Sequence, residues 1–464
     1  MKRSLMFLLL TMLAAGLPAQ EITGKWYGLL EVGGSAMRIV WNIDKADGVY
    51  TATMDSPDQG AKGIPVDIVT FEAPNLVLKI SQMRIEYTGE LVDSIFKGTF
   101  KQAIFSAAMD LTQEEIAKPT PRRKQDPKKP YPYIAEDVSF PGKEAGITLA
   151  GTLTIPPKPG KYPAVVLISG SGPQNRDEEL LNHRPFLVLS DYLTRRGIAV
   201  LRYDDRGTAE STGDFSTATT ADFATDASAA IEYLKTRPEI DHSKMGLMGH
   251  SEGGVIAPMV ANRNQDVAYI VLLAGTGIPG DELMLMQMEL IGRAEGLTEE
   301  QISRTWQQNR TIFDMVKRIN DQDALTPEIE TYLRKAIVEN PDMEIPEGMN
   351  AEELVTLTIS QFTGPWMQYF LKHDPAKELE KVKVPVLAVN GTNDLQVPAK
   401  VNLEAIEKAV RKGGNSNVTV KEYKKLNHLF QKSKTGHPDE YGEIEQTFSP
   451  KVMKDITKWI LRVP

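Results

Sequence analysis

Apolar and polar positions alternate with a period of two through residues 21–112, which predicts a succession of short half-buried strands. The alternation is clearest over residues 25–30, 36–43, 49–54, 75–80, 84–91 and 94–100, and each run is bounded by Gly, Pro, Asp or Asn. Short strands at this spacing predict a small all-β domain, a barrel or a sandwich, that serves as an accessory to whatever follows. Beyond residue 136 the pattern changes. Residues 147–155 read as an antiparallel strand, and residues 162–168 form a continuous apolar run, the mark of a strand buried on both faces. A helical stretch at 186–196, a strand at 198–203, an amphipathic helix at 221–236 and strands at 244–248 and 267–273 complete an alternation that predicts a mostly parallel α/β sheet.

That rhythm stops at Pro279. Residues 281–375 are charged, helical in period and opened by Met284, Met286 and Met288. Strand and helix patterns then resume at 384–389, 400–412, 418–423 and 450–461. The expected architecture is an α/β catalytic domain, 136–280 and 376–464, with a helical cap inserted over 281–375. A cap between the two halves of one sheet is well placed to act as a lid.

Two segments lie outside these domains. Lys2 and Arg3 precede a short apolar run that ends in Leu17-Pro18-Ala19, which reads as a signal peptide over 1–19, cut after Ala19. The run is too short to span a bilayer comfortably, so the expectation is export to the periplasm or beyond without stable membrane insertion. Residues 113–135 combine five prolines with Arg122, Arg123, Lys124, Lys128 and Lys129 and read as a solvated tether. Composition narrows the chemistry further. The 464 residues contain no cysteine, which excludes disulfides, a thiol nucleophile and a thiolate metal site. A net charge of −9 argues against nucleic acid as a partner.

The strand at 244–248 runs into Gly249-His250-Ser251-Glu252-Gly253, and small and apolar residues follow. G-x-S-x-G between a strand and a helix is a nucleophile elbow. Its serine sits on a sharp turn, and only small residues fit two positions to either side. A serine hydroxyl needs a base within reach, and the base needs an acid to hold its tautomer. In chain order the acid and then the histidine follow this kind of elbow. Asp394 follows a buried strand by a tight turn and lies 34 residues before His428, which itself follows a strand. His428 is therefore the expected base and Asp394 its partner. His437, in a polar loop, is the alternative base; Asp374 and Glu380 fit the acid less well because neither follows a strand. Asp394 has a competing job, capping the helix that begins after Pro398. His250 is expected to point away from the pocket.

Two backbone N–H groups should stabilise the oxyanion. One belongs to Glu252, after the nucleophile. The other should come from Ser169-Gly170-Ser171-Gly172-Pro173, with Ser171 first, Gly172 second, and Pro173 excluded for want of an N–H. Asp205 and Arg206 could pair and brace the nucleophile loop, and the polar run 174–179 could rim the pocket.

From about residue 136 to the C-terminus the chain resembles the α/β-hydrolase superfamily, particularly exported bacterial carboxylesterases near the serine-aminopeptidase-like and dienelactone-hydrolase-like branches. The elbow, Asp205-Arg206-Gly207, Asp394 and His428 carry the resemblance. It departs at the oxyanion strand, where Ser169-Gly170 replaces the usual His-Gly, so the resemblance does not fix the second donor. It implies acyl transfer to water through an acyl-serine, with no metal and no organic cofactor. The expected activity is serine hydrolysis of small-molecule carboxylic esters with small or medium acyl groups. The alternatives are an aminopeptidase-like serine peptidase acting on short peptides, a thioesterase or a lactonase. A different class would be a non-catalytic protein that holds a glycan or lipid in its β domain.

Overall fold

The computed structural model describes residues 21–32, 35–46, 48–59, 61–102, 105–116, 123–142, 146–339 and 350–463. The expected signal peptide, 1–19, lies outside the described residues. The described chain divides into two compact units, one ending at Pro119 and the other running from Thr120 to Pro464. Among the described residues no helix is long and apolar enough to cross a membrane.

The first unit is a single 10-stranded sheet. Nine strands run in order from Ala61–Pro65 through Val49–Ser56, Ser35–Ala46, Gly24–Val32, Leu111–Thr112, Ile95–Gln102, Ile85–Val92 and Asn75–Ile80 to Ile68–Glu72, and the tenth, Phe105–Ala108, pairs with Ile95–Gln102 off this path. Alternation puts one face of each strand inward. Trp26, Trp41, Met54, Leu78, Tyr87 and Phe96, drawn from strands across the sheet, meet in one buried cluster. A sheet that gathers its own faces round one core is the barrel-like form of the two expected.

The second unit is an 8-stranded sheet. Its strands are β1 (Ile134–Gly142), β2 (Ile147–Ile155), β3 (Tyr162–Ile168), β4 (Ala199–Tyr203), β5 (Ile240–His250), β6 (Val267–Leu273), β7 (Val386–Gly391) and β8 (Val418–Tyr423). They lie in the order β1-β2-β4-β3-β5-β6-β7-β8. β2 is antiparallel to both neighbours, and from β4 onward every pairing is parallel. The alternation of β3 explains the layering: Ala164, Val166 and Ile168 enter the core on one face, and Val165 and Leu167 enter the core on the other. Helices α1 (Pro185–Thr194) and α11 (Pro450–Ile460) cover the second face. The first is covered by α2 (Thr220–Leu234), α3 (Gly253–Ala261) and α10 (Ala399–Lys412).

Between β6 and β7 the chain forms α4 (Gly280–Ala294), α5 (Glu299–Arg318), α6 (Gln322–Glu339), α7 (Ala351–Thr363) and α8 (Pro365–Lys372), then the short α9 (Pro375–Leu379). Leu285, Ile312, Phe313, Leu325, Phe362 and Leu371 give these helices a core of their own. Asp281, at the start of α4, is buried and paired with Lys317 at 2.8 Å and Arg310 at 3.1 Å on α5. A negative charge in the first turn also suits the helix dipole.

Two features depart from the sequence expectation. β1 begins at Ile134, upstream of the first strand expected there, because an edge strand with most of its side chains exposed has a weak apolar signal. Residues 123–126, expected in a free tether, are fastened to the α/β unit. Arg123 donates to the carbonyls of Leu181, Gly442 and Ile444, and Gln125 bonds the backbone of Thr447 and Phe448. Long-range bonds to backbone leave no trace in composition.

Candidate active site

The parallel strands all end at one edge of the sheet, and the loops after β3, β5, β6, β7 and β8 gather there, the usual place for a ligand on such a sheet. β5 delivers Ser251. Its φ of 52° lies in the left-handed region, which costs a non-glycine residue about 1–2 kcal/mol. The turn is that sharp because backbone meets backbone on both sides. A Cβ at Gly249 would collide with the Gly253 carbonyl, and one at Gly253 with the Ile168 carbonyl.

β7 and β8 lead into the loops that carry Asp394 and His428, the expected acid and base. Asp394 divides its two oxygens: Oδ1 accepts from the N–H groups of Gln396 and Val397, each at 2.9 Å, and Oδ2 meets His428 Nδ1 at 2.8 Å. The helix after Pro398, Ala399–Lys412, takes no side-chain cap, so Oδ1 braces the turn before it rather than capping it, and Oδ2 fills the pairing role. His428 is presented by a turn in which Asn427 and Gln431 bond each other through both side chains and backbone. The alternatives face elsewhere. His437 lies against Asp439 and Glu295, Glu380 pairs with Lys412, and Asp374 caps α9 through the Ala376 N–H.

A cavity of about 230 Å3 opens beside Ser251. Leu283, Met284, Trp366, Met367, Phe370 and Val397 form its apolar wall, and Ser171, Glu252, Thr276, Gln287 and Gln396 complete it. Gly172 and His428 are not among its lining residues. Of the three methionines that open the cap, Met284 lines this cavity, while Met286 and Met288 pack against buried apolar clusters. Trp366 stacks on Phe370 with ring centroids 5.1 Å apart.

Glu252 follows the nucleophile and is fully buried. Its Oε1 accepts from the Thr220 hydroxyl at 2.6 Å and from the Trp366 ring N–H at 2.8 Å. Burial pushes this carboxyl above its usual range, and the bonds from Thr220, Trp366 and Ser171 work against that rise. One side chain thus ties together the elbow, α2, the cap and the loop after β3.

In the loop after β3, the Gly170 N–H donates to Glu178 at 3.0 Å, which removes it as an oxyanion donor. The Ser251 N–H is likewise used, donating to Leu273. Ser171 and Glu252 flank Ser251 in the cavity. The run 174–179 does not rim the pocket as expected. Arg176 pairs with Asp204 at 2.6 Å, Asp177 with Arg202 at 2.9 Å, and Glu178 bonds His250 at 2.8 Å, so the run braces strand ends.

Asp205 and Arg206 do not pair with one another. Arg206 forks onto Asp226 on α2, at 2.7 and 2.8 Å, while Asp205 accepts from the Ser169 hydroxyl at 2.7 Å and the Gln174 N–H at 2.9 Å. Neighbours in a strand end point to opposite sides, so each found its own partner. Burial pushes the Asp205 carboxyl up to about 8, against the pull of those two hydrogen bonds. A carboxyl raised in the folded state contributes stability that is fully present below its unfolded value and is lost as pH rises through about 8. The Asp205→Asn variant lacks this dependence. Its urea midpoint is expected to gain on wild type steadily from pH 5 to pH 8, and a constant difference would refute the assignment.

The fold and the elbow define an α/β hydrolase. More particularly, the chain belongs to the X-Pro dipeptidyl-peptidase (S15) family, whose model matches residues 145–422. A curated relative, esterase EstD of Thermotoga maritima, is 27% identical over 339 residues, covering 71% of this chain and 70% of its own. Similar solved structures include an esterase from Pyrococcus furiosus, at 15% identity and a TM-score of 0.43 over 71% of this chain and 91% of that one. Est1E from Butyrivibrio proteoclasticus, solved with ferulic acid, gives 18% identity and a TM-score of 0.41 over 70% and 98%.

His250 is, as expected, not among the residues lining the cavity, whereas sequence reasoning missed the pairing of Glu178 with His250 and missed Trp366 altogether. Glu178 lay in a polar run with no periodicity to mark it. Trp366 reads simply as a helix aromatic, and its partner Glu252 is 114 residues away.

Proposed function

We propose that this chain is an exported serine hydrolase that cleaves carboxylic esters of small or medium acyl groups through an acyl-serine intermediate. Ser251 Oγ attacks the carbonyl carbon while His428 Nε2 takes its proton. Asp394 holds the Nδ1–H tautomer and stabilises the imidazolium that forms. The tetrahedral oxyanion receives hydrogen bonds from the N–H groups of Glu252 and Ser171. The carbon–oxygen bond to the alcohol then breaks, and His428 returns the proton to the leaving oxygen. Water repeats the sequence on the acyl-serine and regenerates the hydroxyl.

The observation that carries the ester reading is the wall beside Ser251: aliphatic, thioether and aromatic side chains line it, and its one carboxyl, Glu252, is already bonded to Thr220 and Trp366. An acyl chain filling that wall gains about 0.8 kcal/mol per methylene, roughly fourfold in kcat/KM for each one until the cavity is full. Hydrolysis of p-nitrophenyl esters from acetate to laurate is therefore expected to rise, peak at short or medium chains, and fall by laurate. A profile flat in chain length would count against the acyl pocket. The second reading is a peptidase on short peptides, supported by the family match over residues 145–422. Faster cleavage of X-Pro p-nitroanilides than of every ester would favour it.

A further inference from the structure

Glu178, His250 and His428 are joined by two bonds that serine hydrolysis as written above does not use. Glu178 Oε1 accepts the Gly170 N–H at 3.0 Å and lies 2.8 Å from His250 Nδ1. The other ring nitrogen of His250, Nε2, lies 3.0 Å from the backbone oxygen of His428. Both side chains are buried, with 5% exposure for Glu178 and 6% for His250. The loop that brings Glu178 there is bent into the left-handed region at Glu178, Leu181 and Asn182, with φ of 51°, 50° and 61°. Non-glycine residues adopt that conformation at a cost, and three within one loop mark a segment held by its contacts.

The proton count follows from the partners. A carbonyl oxygen only accepts, so His250 Nε2 carries a hydrogen. A second proton lies between Nδ1 and Glu178, and imidazole is the more basic of the two groups. His250 is then an imidazolium with both nitrogens donating, and Glu178 is a carboxylate that accepts twice.

We propose that Glu178 and His250 form a buried carboxylate–imidazolium clamp that positions the reacting groups, fixing the oxyanion loop through the Gly170 N–H and the base loop through the His428 carbonyl. The proposal rests on the serine-hydrolase reading. Neither residue lines the cavity beside Ser251, so both are positioning residues. The clamp joins the loops after β3, β5 and β8, which together carry Ser171, Ser251 and His428. It also sets a cation against the base: the rings of His250 and His428 have centroids 4.7 Å apart. The groups facing His250 are Glu178, the His428 ring and carbonyl, the Phe430 ring at 6.5 Å and the Asp394 carboxylate. Burial opposes charge on His250, but the field of Glu178 and the two hydrogen bonds outweigh it and raise its pKa above the usual value.

Two measurements test this on the full chain. Side-chain nitrogen NMR of wild type at pH 8, with His250 assigned by difference from His250→Gln, should show both ring nitrogens protonated. A neutral ring would overturn the proposal, and this arm needs no active variant. Steady-state kinetics on p-nitrophenyl butyrate are the second arm. In His250→Gln and Glu178→Gln kcat should fall about 10–100-fold, with KM within about threefold. The double variant should fall no further than either single one, since the two residues act as one unit. Losses that multiply in the double variant, or a KM that rises in step with the fall in kcat, would overturn the clamp. The parent reading fails separately, on Ser251→Ala retaining hydrolysis.

Discussion

The Ser251→Ala variant is expected to lose ester hydrolysis by roughly 10⁴-fold or more in kcat/KM. The reasoning starts from the backbone. Alanine has a Cβ as serine does, so the left-handed turn at φ 52° is as strained in the variant as in wild type. The collisions that keep residues 249 and 253 as glycine are untouched. The urea midpoint should therefore stay within error of wild type, and what is lost is the hydroxyl oxygen alone. Any residual rate reflects binding and the N–H groups of Glu252 and Ser171, which still favour the tetrahedral state. Ser251→Gly sharpens the test. Glycine accepts positive φ freely, so this variant should be as inactive yet more stable by about 1 kcal/mol. Strain held at the nucleophile and relieved by its removal is the pattern expected of a functional turn. Retention of a tenth of the activity in either variant would show that the ester chemistry lies elsewhere.

The sheet was legible in the sequence where burial was complete. The apolar run at 162–168 has only one good explanation, a strand covered on both faces, and β3 sends its residues alternately into two cores. The cap was legible as a break in that grammar, since helical period over so many residues cannot continue a parallel sheet. The loop residues that close strands were legible because a strand pattern fixes where the loop begins, which placed Ser251, Asp394 and His428 at one sheet edge. What the sequence hid were partners chosen over long separations. Arg206 follows Asp205 yet pairs with Asp226, because strand geometry turns neighbours apart and the helix α2 supplies a carboxylate on the right side. Arg123 looks like one more charge in a proline-rich run, and only the folded chain brings it the carbonyls of Leu181, Gly442 and Ile444. Glu178 is the plainest case. A single acid in a polar run has no periodicity, and its meaning depends on His250, 72 residues on.

In the Asp394→Asn variant the fold should survive and the activity should not. Asp394 Oδ1 accepts two backbone N–H groups, from Gln396 and Val397, and Oδ2 accepts His428 Nδ1–H. An asparagine here has one acceptor and one donor end. Two N–H groups demand the acceptor, so the amide oxygen is fixed toward residues 396 and 397. The NH2 group then faces His428 Nδ1 and donates to it. That drives the imidazole to the tautomer with its hydrogen on Nε2, which has no lone pair to receive the Ser251 proton. The expected loss is about 10⁴-fold in kcat, the scale found when a triad acid is replaced by its amide. Stability should change by no more than about 1 kcal/mol, because the turn keeps both backbone bonds. Asp394→Ala separates the two roles: it loses the turn bonds as well, and should cost about 1–2 kcal/mol of stability beyond its loss of activity. Paired measurement of kcat and the urea midpoint distinguishes these outcomes. If the asparagine variant kept more than a tenth of wild-type kcat, the Asp394–His428 bond would be a structural contact, and the division of labour between the two oxygens would collapse into bracing the turn alone.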